Sequence, residues 1–528
     1  MTEHIPSIFN DVLGPVMRGP SSSHSAAALR IGRMCRDLMK GDPGKVMVQY
    51  DRLDALATTH ASQGSDMGMM GGLLGYDADD ERLINPENYL QDAGIEVAFE
   101  VIDSGKTEPN LYMVHLKNQV EEIRVEAIST GGGMIELIKI DGCQVSIMGD
   151  YFETLIYSSD QVIIQSLINQ VHPPANALIR QGRKLFLEIR SPEPPDPQWI
   201  SELGKKDAIT AIRSISPVLP ILSGSTGEVP FANYPQMIQY NQALNLNAWQ
   251  LALEYESARG GITKEKVVGL MEERYKVMRD GVKSGLEGTN FKDRIFGPQS
   301  VAYKQKLDRG ELSRDEALHR TTLYVSALME VKSSMGTIVA APTAGACGTF
   351  PGAVLGVADS MGFGKEEIIH ALLAGSLVGI FIAADSTFSA EIGGCQAECG
   401  AGSGMAASAI VSLLGGTLEQ SMAAASMALQ NSLGMICDPI AARVEAPCLG
   451  KNIGSATNAL ACANMALAGY DHLIPLDEVI ETMDRVGKSL PRELRCTALG
   501  GLAITPSAKK VEERLLRSVR EAAPVIKK

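Results

Sequence analysis

The chain lacks a basic stretch followed by a long apolar run at its start. MTEHIPSIFNDVLGP holds neither, so no secretory leader is expected and the cytoplasm is the default compartment. Its longest apolar run, Ala371 to Ala384, carries Gly and Ser and falls short of the roughly 20 residues a spanning helix needs, so it reads as a buried helix and no membrane partner is expected. Close CxxC pairs are missing, which disfavours a usual structural zinc site, and the nine cysteines have scattered spacings, which excludes a disulfide framework. Positive charge is in deficit. With 48 Lys and Arg against 62 Asp and Glu, the net charge of -14 argues against nucleic acid or an anionic membrane surface and leaves a small molecule as the expected ligand. No lysine sits in a convincing Schiff-base setting followed by a glycine-rich phosphate loop, which disfavours pyridoxal chemistry.

What the chain does have is the composition of a globular protein, with 528 residues of which 45% are hydrophobic and 21% charged. That length predicts about two to four domains, and the class read from its texture is α+β. Residues 1–122 read as an N-terminal α/β domain, with an Ala-rich amphipathic helix in AAALRIGRMCRDLMK and strands in KVMVQY, IEVAFEVID and LYMVHLK. Residues 123–222 read as a small regulatory-type unit. Its first part, VEAISTGGGMIELIKIDGCQVSIMG, alternates over two strands joined at Asp141-Gly142, a hairpin signal. A βαββαβ order follows through ETLIYS, DQVIIQSLINQ, ALIRQGRKLFLEIR, QWISELGKK and ITAIRSIS. Gly131 to Gly133 have no helix after them and read as a bulge or turn, not a phosphate cradle. After Ser223 to Gly227, long helical patterns run to the end, an all-helical domain over 223–528. From Met335 these are rich in Ala, Gly, Ser and Met, which lets helices approach closely and brings many loop ends together.

Two N-terminal segments concentrate polar groups. Ser21-Ser22-Ser23-His24-Ser25 follows the turn Arg18-Gly19-Pro20 and directly precedes the Ala-rich helix, so the serines form its cap and first turn. Free N–H groups and the helix dipole there favour an anion such as a substrate carboxylate, and the plainer alternative is an ordinary N-cap. Gln63-Gly64-Ser65-Asp66 interrupts a loop before a Met/Gly-rich helix, by itself a weak signal.

The strongest chemical signal lies between Gly393 and Asn452. There Cys395, Cys437 and Cys448 stand beside Gly or Pro in the settings Gly-Gly-Cys, Cys-Asp-Pro and Ala-Pro-Cys-Leu-Gly-Lys-Asn. Thiolates are soft ligands that select zinc or iron–sulfur clusters. Three cysteines with no evident fourth suit a cluster of four irons with one iron left open, able to act as a Lewis acid on a substrate oxygen. Each cysteine alone reads as core; the three settings together reverse that.

With GPSSSH, PTAGACGTFPG, GGCQAECG, CDPIA, PCLGKN and GGLAITPS, this spacing resembles the iron–sulfur L-serine dehydratases, here with β and α parts in one chain. The resemblance implies a [4Fe-4S] cluster held by Cys395, Cys437 and Cys448, with Cys347, Cys399, Cys462 and Cys496 as non-ligands, and an abridged ACT-like module over 123–222. It implies an oxygen-sensitive lyase of amino-acid catabolism that converts L-serine to pyruvate and ammonia, expected as a homodimer. Ser21 to Ser25 would hold the substrate carboxylate and, with Gln63, Gly64, Ser65 and Asp66, close the substrate pocket, Thr343, Ala344 and Gly345 would line the opposite wall, and Lys451 and Asn452 would offer a cation and an amide to substrate or cluster. One departure concerns the base. Where the family has His-Gly-Thr-Asp, this chain has Gln63-Gly64-Ser65-Asp66, and a Gln cannot titrate, so His24 or His60 takes over or the substrate is not serine. The alternatives are β-elimination on another substrate such as L-cysteine, and a catalytically idle cluster protein that senses iron, oxygen or an amino acid. A zinc enzyme is the further metal alternative.

Overall fold

In the computed structural model, which describes residues 4–171, 175–223 and 228–522, the first residues of the chain do not join the domain expected to contain them. Ile8, Phe9, Val12 and Leu13 are fully buried in the core of the helical region. The segment is stitched there by polar bonds as well: Tyr255 Oη donates to the Pro6 carbonyl at 2.9 Å and Asn10 Nδ2 to the Ile221 carbonyl at 2.7 Å. Strand β1 (Val16–Met17) then pairs antiparallel with Ile338–Val339 of the helical region. Four large apolar side chains, each worth about 1.5–3 kcal/mol when fully buried, decide this placement.

The N-terminal domain proper is a mixed six-stranded sheet of β2 (Lys45–Asp51), β3 (Glu96–Ile102), β4 (Leu111–Lys117), β5 (Glu122–Gly131), β6 (Met134–Ile140) and β7 (Cys143–Ile147). Its order is β3-β2-β4-β5-β6-β7, parallel only between β2 and β3. The expected division at 122/123 therefore falls inside one sheet. Strand β5 shows why: Ile123, Val125 and Ala127 alternate inward and share a core with Val46 and Val114 across the supposed boundary. The Asp141-Gly142 hairpin forms as read, with φ of 50° and 80°. Helices Ala27–Leu38 and Ser65–Leu73 pack against each other, the first also against β5 and β6. A Cβ at Gly68 would stand 2.0 Å from the Ser25 carbonyl oxygen, so the Met/Gly-rich composition lets this helix press on the serine segment.

The βαββαβ unit is present but starts later. It runs from β8 (Phe152–Ser158) through β9 (Asn176–Gln181) and β10 (Leu185–Ser191) to β11 (Ile209–Ile215), in the antiparallel order β11-β8-β10-β9, with helices Gln161–Ile168 and Pro197–Leu203. Ile156, Ile164, Leu167 and Leu187 give it a small core of its own.

From residue 234 the described elements are helical apart from Ile338–Val339. Helix Lys365–Asp385, which contains the run Ala371 to Ala384, packs against helices Ala401–Leu413 and Ala248–Gly260. Among the described residues it alone is long and apolar enough to cross a membrane, and 78% of its apolar window is buried inside the protein, as expected of a core helix. The breakpoint Gly224 to Gly227 lies outside the described residues.

Candidate active site and metal centre

Three separate local structures bring the cysteines together. Cys395 stands at the start of the turn Gln396–Gly400, which leads into helix Ala401–Leu413. Gln396 locks that turn: its Nε2 donates to the Met483 carbonyl at 2.6 Å and its Oε1 accepts from the Gly434 amide at 2.8 Å. Cys437 is extended and bridges to the C-terminal segment, its N–H donating to the Leu494 carbonyl at 2.8 Å and its carbonyl accepting from Cys496 N–H at 3.0 Å. Cys448 is the first residue of helix Cys448–Leu467, where the dipole favours a thiolate. All three are buried.

Cys395, Glu398 and Cys437 present ligand atoms within 4.8 Å of one another, a mixed sulfur and carboxylate set able to hold a metal ion. Cys448 lies outside that trio, although the negative charge of Cys395 reaches it and, after burial, helps push its thiol up. Hydrogen bonds from the Cys399 and Cys437 thiols hold Cys395 well below the usual thiol range, helped by the Lys451 charge and opposed by burial. Cys399 and Cys437 are pushed the other way, chiefly by the same bonds. Glu398 rises to about 8, through burial first and then the charge of Cys395.

Two cysteines read as bystanders therefore belong to the neighbourhood. The CxxxC spacing of Cys395 and Cys399 does place both thiols in contact, and Cys437 hydrogen-bonds Cys496, a residue 59 positions away with nothing metal-like around it in sequence. Cys347 and Cys462 are core residues.

Lys451 Nζ lies 3.9 Å from Cys395 Sγ and donates at 2.6 Å to both the Ile436 carbonyl and Asp438 Oδ1. Asn452 is used up inside the protein. Its Oδ1 accepts from Thr349 N and Oγ1 at 3.1 and 2.9 Å, while Nδ2 donates to the carbonyls of Gly345 and Cys448 at 2.8 and 2.9 Å and approaches Cys399 Sγ at 3.5 Å. It clamps the helix that carries Cys448 and offers no spare amide to a ligand.

The segment Ser21 to Ser25 faces this centre from the other side. Each of its hydroxyls has a partner inside the protein: Ser21 contacts Ser23 at 3.2 Å and His24 Nδ1 at 3.0 Å, Ser22 accepts from the Ala344 amide at 3.1 Å, and Ser25 donates to the Gln63 carbonyl at 3.1 Å. Ser23 donates to Glu391 Oε1 at 3.0 Å, and Ser389 donates to the other carboxylate oxygen at 2.7 Å. The carboxylate against the serines is thus Glu391's own, and a substrate carboxylate in that place would meet a like charge. Glu391 lies just before the cysteine loop, where its sequence position alone assigned it no role.

His24 is fully buried, and burial lowers its pKa despite the opposing charge of Glu391, so it is neutral at physiological pH. Thr59 uses its only hydroxyl proton on the Ala55 carbonyl at 2.8 Å and so accepts from His24 Nε2, also at 2.8 Å. This network assigns the proton to Nε2 and leaves Nδ1 as an acceptor for Ser21, since Ser23 spends its one hydroxyl proton on Glu391.

Thr343, Ala344 and Gly345 link the two sides. Thr343 Oγ1 donates to Glu398 Oε1 at 2.6 Å, and a Cβ at Gly345 would stand 2.6 Å from the same carboxylate. Of Gln63 to Asp66, Gln63 alone reaches the cysteines, its Nε2 3.6 Å from Cys496 Sγ. Ser65 bonds Tyr112 and Asp66 bonds Tyr50 and His60, back into the N-terminal domain, while Gly64 adopts φ 91° against Ser25. His60 Nδ1 is held by Asp66 at 2.8 and 2.9 Å and its ring stacks on Tyr50 at 4.7 Å; Nε2 has no partner among the described residues.

The comparisons with known proteins point the same way. The family model described as "Serine dehydratase alpha chain" matches residues 243–503. A protein named probable L-serine dehydratase, alpha chain, from Bacillus subtilis (strain 168) is 36% identical over 285 residues, which is 54% of this chain and 95% of that protein. The probable L-serine dehydratase, beta chain, of the same organism is 35% identical over 155 residues, 29% of this chain and 69% of that protein. The L-serine dehydratase of Streptomyces coelicolor is 26% identical over 508 residues and spans 92% of this chain and 96% of its own length. With alpha-type and beta-type sequence joined in a single polypeptide, the chain belongs to the L-serine dehydratase family of enzymes.

Proposed function

We propose that the protein is a [4Fe-4S]-dependent lyase that dehydrates and deaminates L-serine, or a closely related β-hydroxy amino acid, to a keto acid and ammonia. The observation that carries this reading is the meeting of buried thiols and Glu398 with the Ser23–His24–Glu391 network across the domain junction. Cys395, Cys437 and Cys448 would hold the cluster, and their donor chemistry fits it: three thiols buried on three separate segments of the chain, with the Lys451 cation beside the first. When bound, the cluster would supply Lewis-acid iron that makes a β-hydroxyl a better leaving group.

The remaining work falls to side chains. Removal of the α-proton needs a base, and Gln63 cannot titrate. His60 takes that role in this proposal: its Nδ1–H is fixed by Asp66, Nε2 is left as the acceptor, and it stands one turn before Gln63. Neutral His24 positions Ser21, Ser23 and Glu391. Nine free, buried cysteines favour a reducing compartment, so we place the enzyme in the cytoplasm, and a homodimer is the proposed assembly. The names of the relatives support serine as the substrate.

The Gln63–Cys496 contact favours a second reading, elimination of a thiol from L-cysteine, because the group beside the centre is an amide and a thiol with no titrating imidazole. Anaerobic purification with iron and sulfide quantification, followed by assays of keto acid, ammonia and sulfide over L-serine, L-threonine and L-cysteine, separates the two. An iron-free protein with full serine activity would overturn the cluster; tight serine binding without turnover would make the protein a sensor.

A further inference from the structure

A cavity of about 400 Å³ opens between the domains, walled by the loop after β2, residues 106–109, the turn carrying Glu391 and residues 492–497. That volume lies within the roughly 300–1,000 Å³ usual for small-molecule sites. The cavity touches the centre described above twice, through Glu391 and through Arg495, whose backbone bridges that of Cys437.

The charges that line it are unevenly matched. Asp51 accepts from Ser104 and the Leu53 amide, Asp54 from the amides of Leu56 and Leu111, and Lys106 is paired with Glu126. Among the described residues Glu108 accepts only from the Thr107 amide. Arg492 and Arg495, both half-buried, form no ion pair among the described residues. Arg492 Nε donates to the Leu53 carbonyl at 2.8 Å, and Arg495 Nε is a buried donor with no partner among the described residues. An orphaned buried N–H on a guanidinium without a counter-charge calls for an anion, and the planar fork of Arg suits a carboxylate. The backbone here is held under constraint, with φ of 60° at Cys496 and 57° at Ala498, conformations that persist only where the surroundings over-determine them.

Glu391 already fills the place in the serine cluster expected for a substrate carboxylate, so that group needs another seat, while Glu391 itself is a buried anion on the cavity wall. We propose that this cavity seats the charged end of an α-amino acid, with Arg495 and Arg492 holding the carboxylate and Glu391 the ammonium. The assignment rests on the amino-acid lyase function proposed above.

The test uses anaerobically purified, iron-loaded full-length enzyme and its Arg495→Gln, Arg495→Lys and Arg492→Gln variants. Each is titrated calorimetrically with L-alanine, which has both charged groups but no leaving group, and with ethanolamine, which lacks the carboxylate; KM and kcat are measured with L-serine. Arg495→Gln is expected to weaken L-alanine and raise the serine KM roughly ten- to hundred-fold, with a much smaller change in kcat and unchanged iron and sulfide. Arg495→Lys should recover part of the loss, Arg492→Gln should show a smaller loss of the same kind, and ethanolamine should not distinguish the proteins. Should Arg495→Gln fail to fold, the other two variants carry the same comparison. Unchanged KM and alanine affinity overturn the carboxylate seat and leave the lyase reading standing, whereas a wild type that neither binds nor converts any amino acid overturns both.

Discussion

Gln63 Nε2 lies 3.6 Å from Cys496 Sγ, with both side chains buried where the N-terminal domain meets the cysteine-bearing loops. The pair joins residues 433 positions apart and puts an uncharged donor against a thiol that in turn hydrogen-bonds Cys437. A titrating side chain in the place of Gln63 would change the charge of this junction with pH; the amide keeps it constant.

Removing the thiol tests what this contact carries. Cys496→Ala leaves the Gln63 amide buried without its sulfur acceptor and is expected to cost about 1–3 kcal/mol. Gln63→Leu should cost a similar amount alone, and the double variant less than the sum, with a coupling of roughly 0.5–3 kcal/mol. Denaturant unfolding of the three variants measures it, and additive effects would show that the contact has no energetic weight.

Cys395→Ala is expected to abolish the brown colour, most of the iron and all serine turnover, because its thiol is the hub of the cluster of cysteines. Cys462→Ala, in the helical core away from them, should retain both colour and activity with a modest loss of stability. Iron quantification on protein purified without oxygen is the readout, and an active, iron-replete Cys395→Ala protein would remove the basis of the metal centre.

Lys451 and Asp438 form a 2.6 Å ion pair in which the acid's side chain is 2% exposed and the lysine's 18%. Breaking a buried pair from one side costs about 3–5 kcal/mol, and the accessible lysine puts Lys451→Met near the lower bound of that range. Adding Asp438→Asn should recover part of the loss, although the Leu502 amide that donates to Oδ2 at 2.8 Å then keeps a weaker acceptor. Thermal unfolding of the single and double variants decides this.

His24 makes stability depend on pH with a definite sign. Its folded pKa is below the ordinary 6.5, so between those two values the unfolded chain binds more protons than the folded one. Its contribution is complete above about 6.5 and is lost as pH falls below that value. His4, raised by Asp11 against the effect of burial, acts oppositely, stabilising at low pH and losing its contribution as pH rises through its elevated pKa. His24→Asn should therefore flatten the acid-side loss and leave the His4 effect in place, as read from unfolding free energies measured across pH 5 to 8 with each variant.

Replacing His60 separates the two histidines by function. His60→Asn should lower kcat by roughly a hundred- to ten-thousand-fold, the usual worth of a general base, with the fold intact. His24→Asn should lower stability as well as rate. Equal kcat in wild type and His60→Asn would move the base elsewhere.

Much of this protein was legible in local patterns. Strands β2 to β4 and β8 to β11, the Asp141-Gly142 turn and the long helices follow from periodicity and turn chemistry, which act over a few residues. The three cysteines stood out by their Gly and Pro settings, and each is buried, Cys395 and Cys437 beside Glu398. Tertiary structure decided the rest. It placed residues 4–17 in the helical core and carried one sheet across 122/123, because apolar faces seek the largest available burial irrespective of chain position. It also brought Cys496 and Arg495 to the cysteines by a backbone bridge, set Glu391 against Ser23, and turned Asn452 inward. None of those contacts has a short-range signature, since each joins residues dozens to hundreds of positions apart, Ser23 and Glu391 across the domain junction and the others within the helical region. Local sequence pointed to groups that could carry chemistry, but only packing decided which buried groups satisfy one another and which, like Arg495 Nε, have no partner among the described residues.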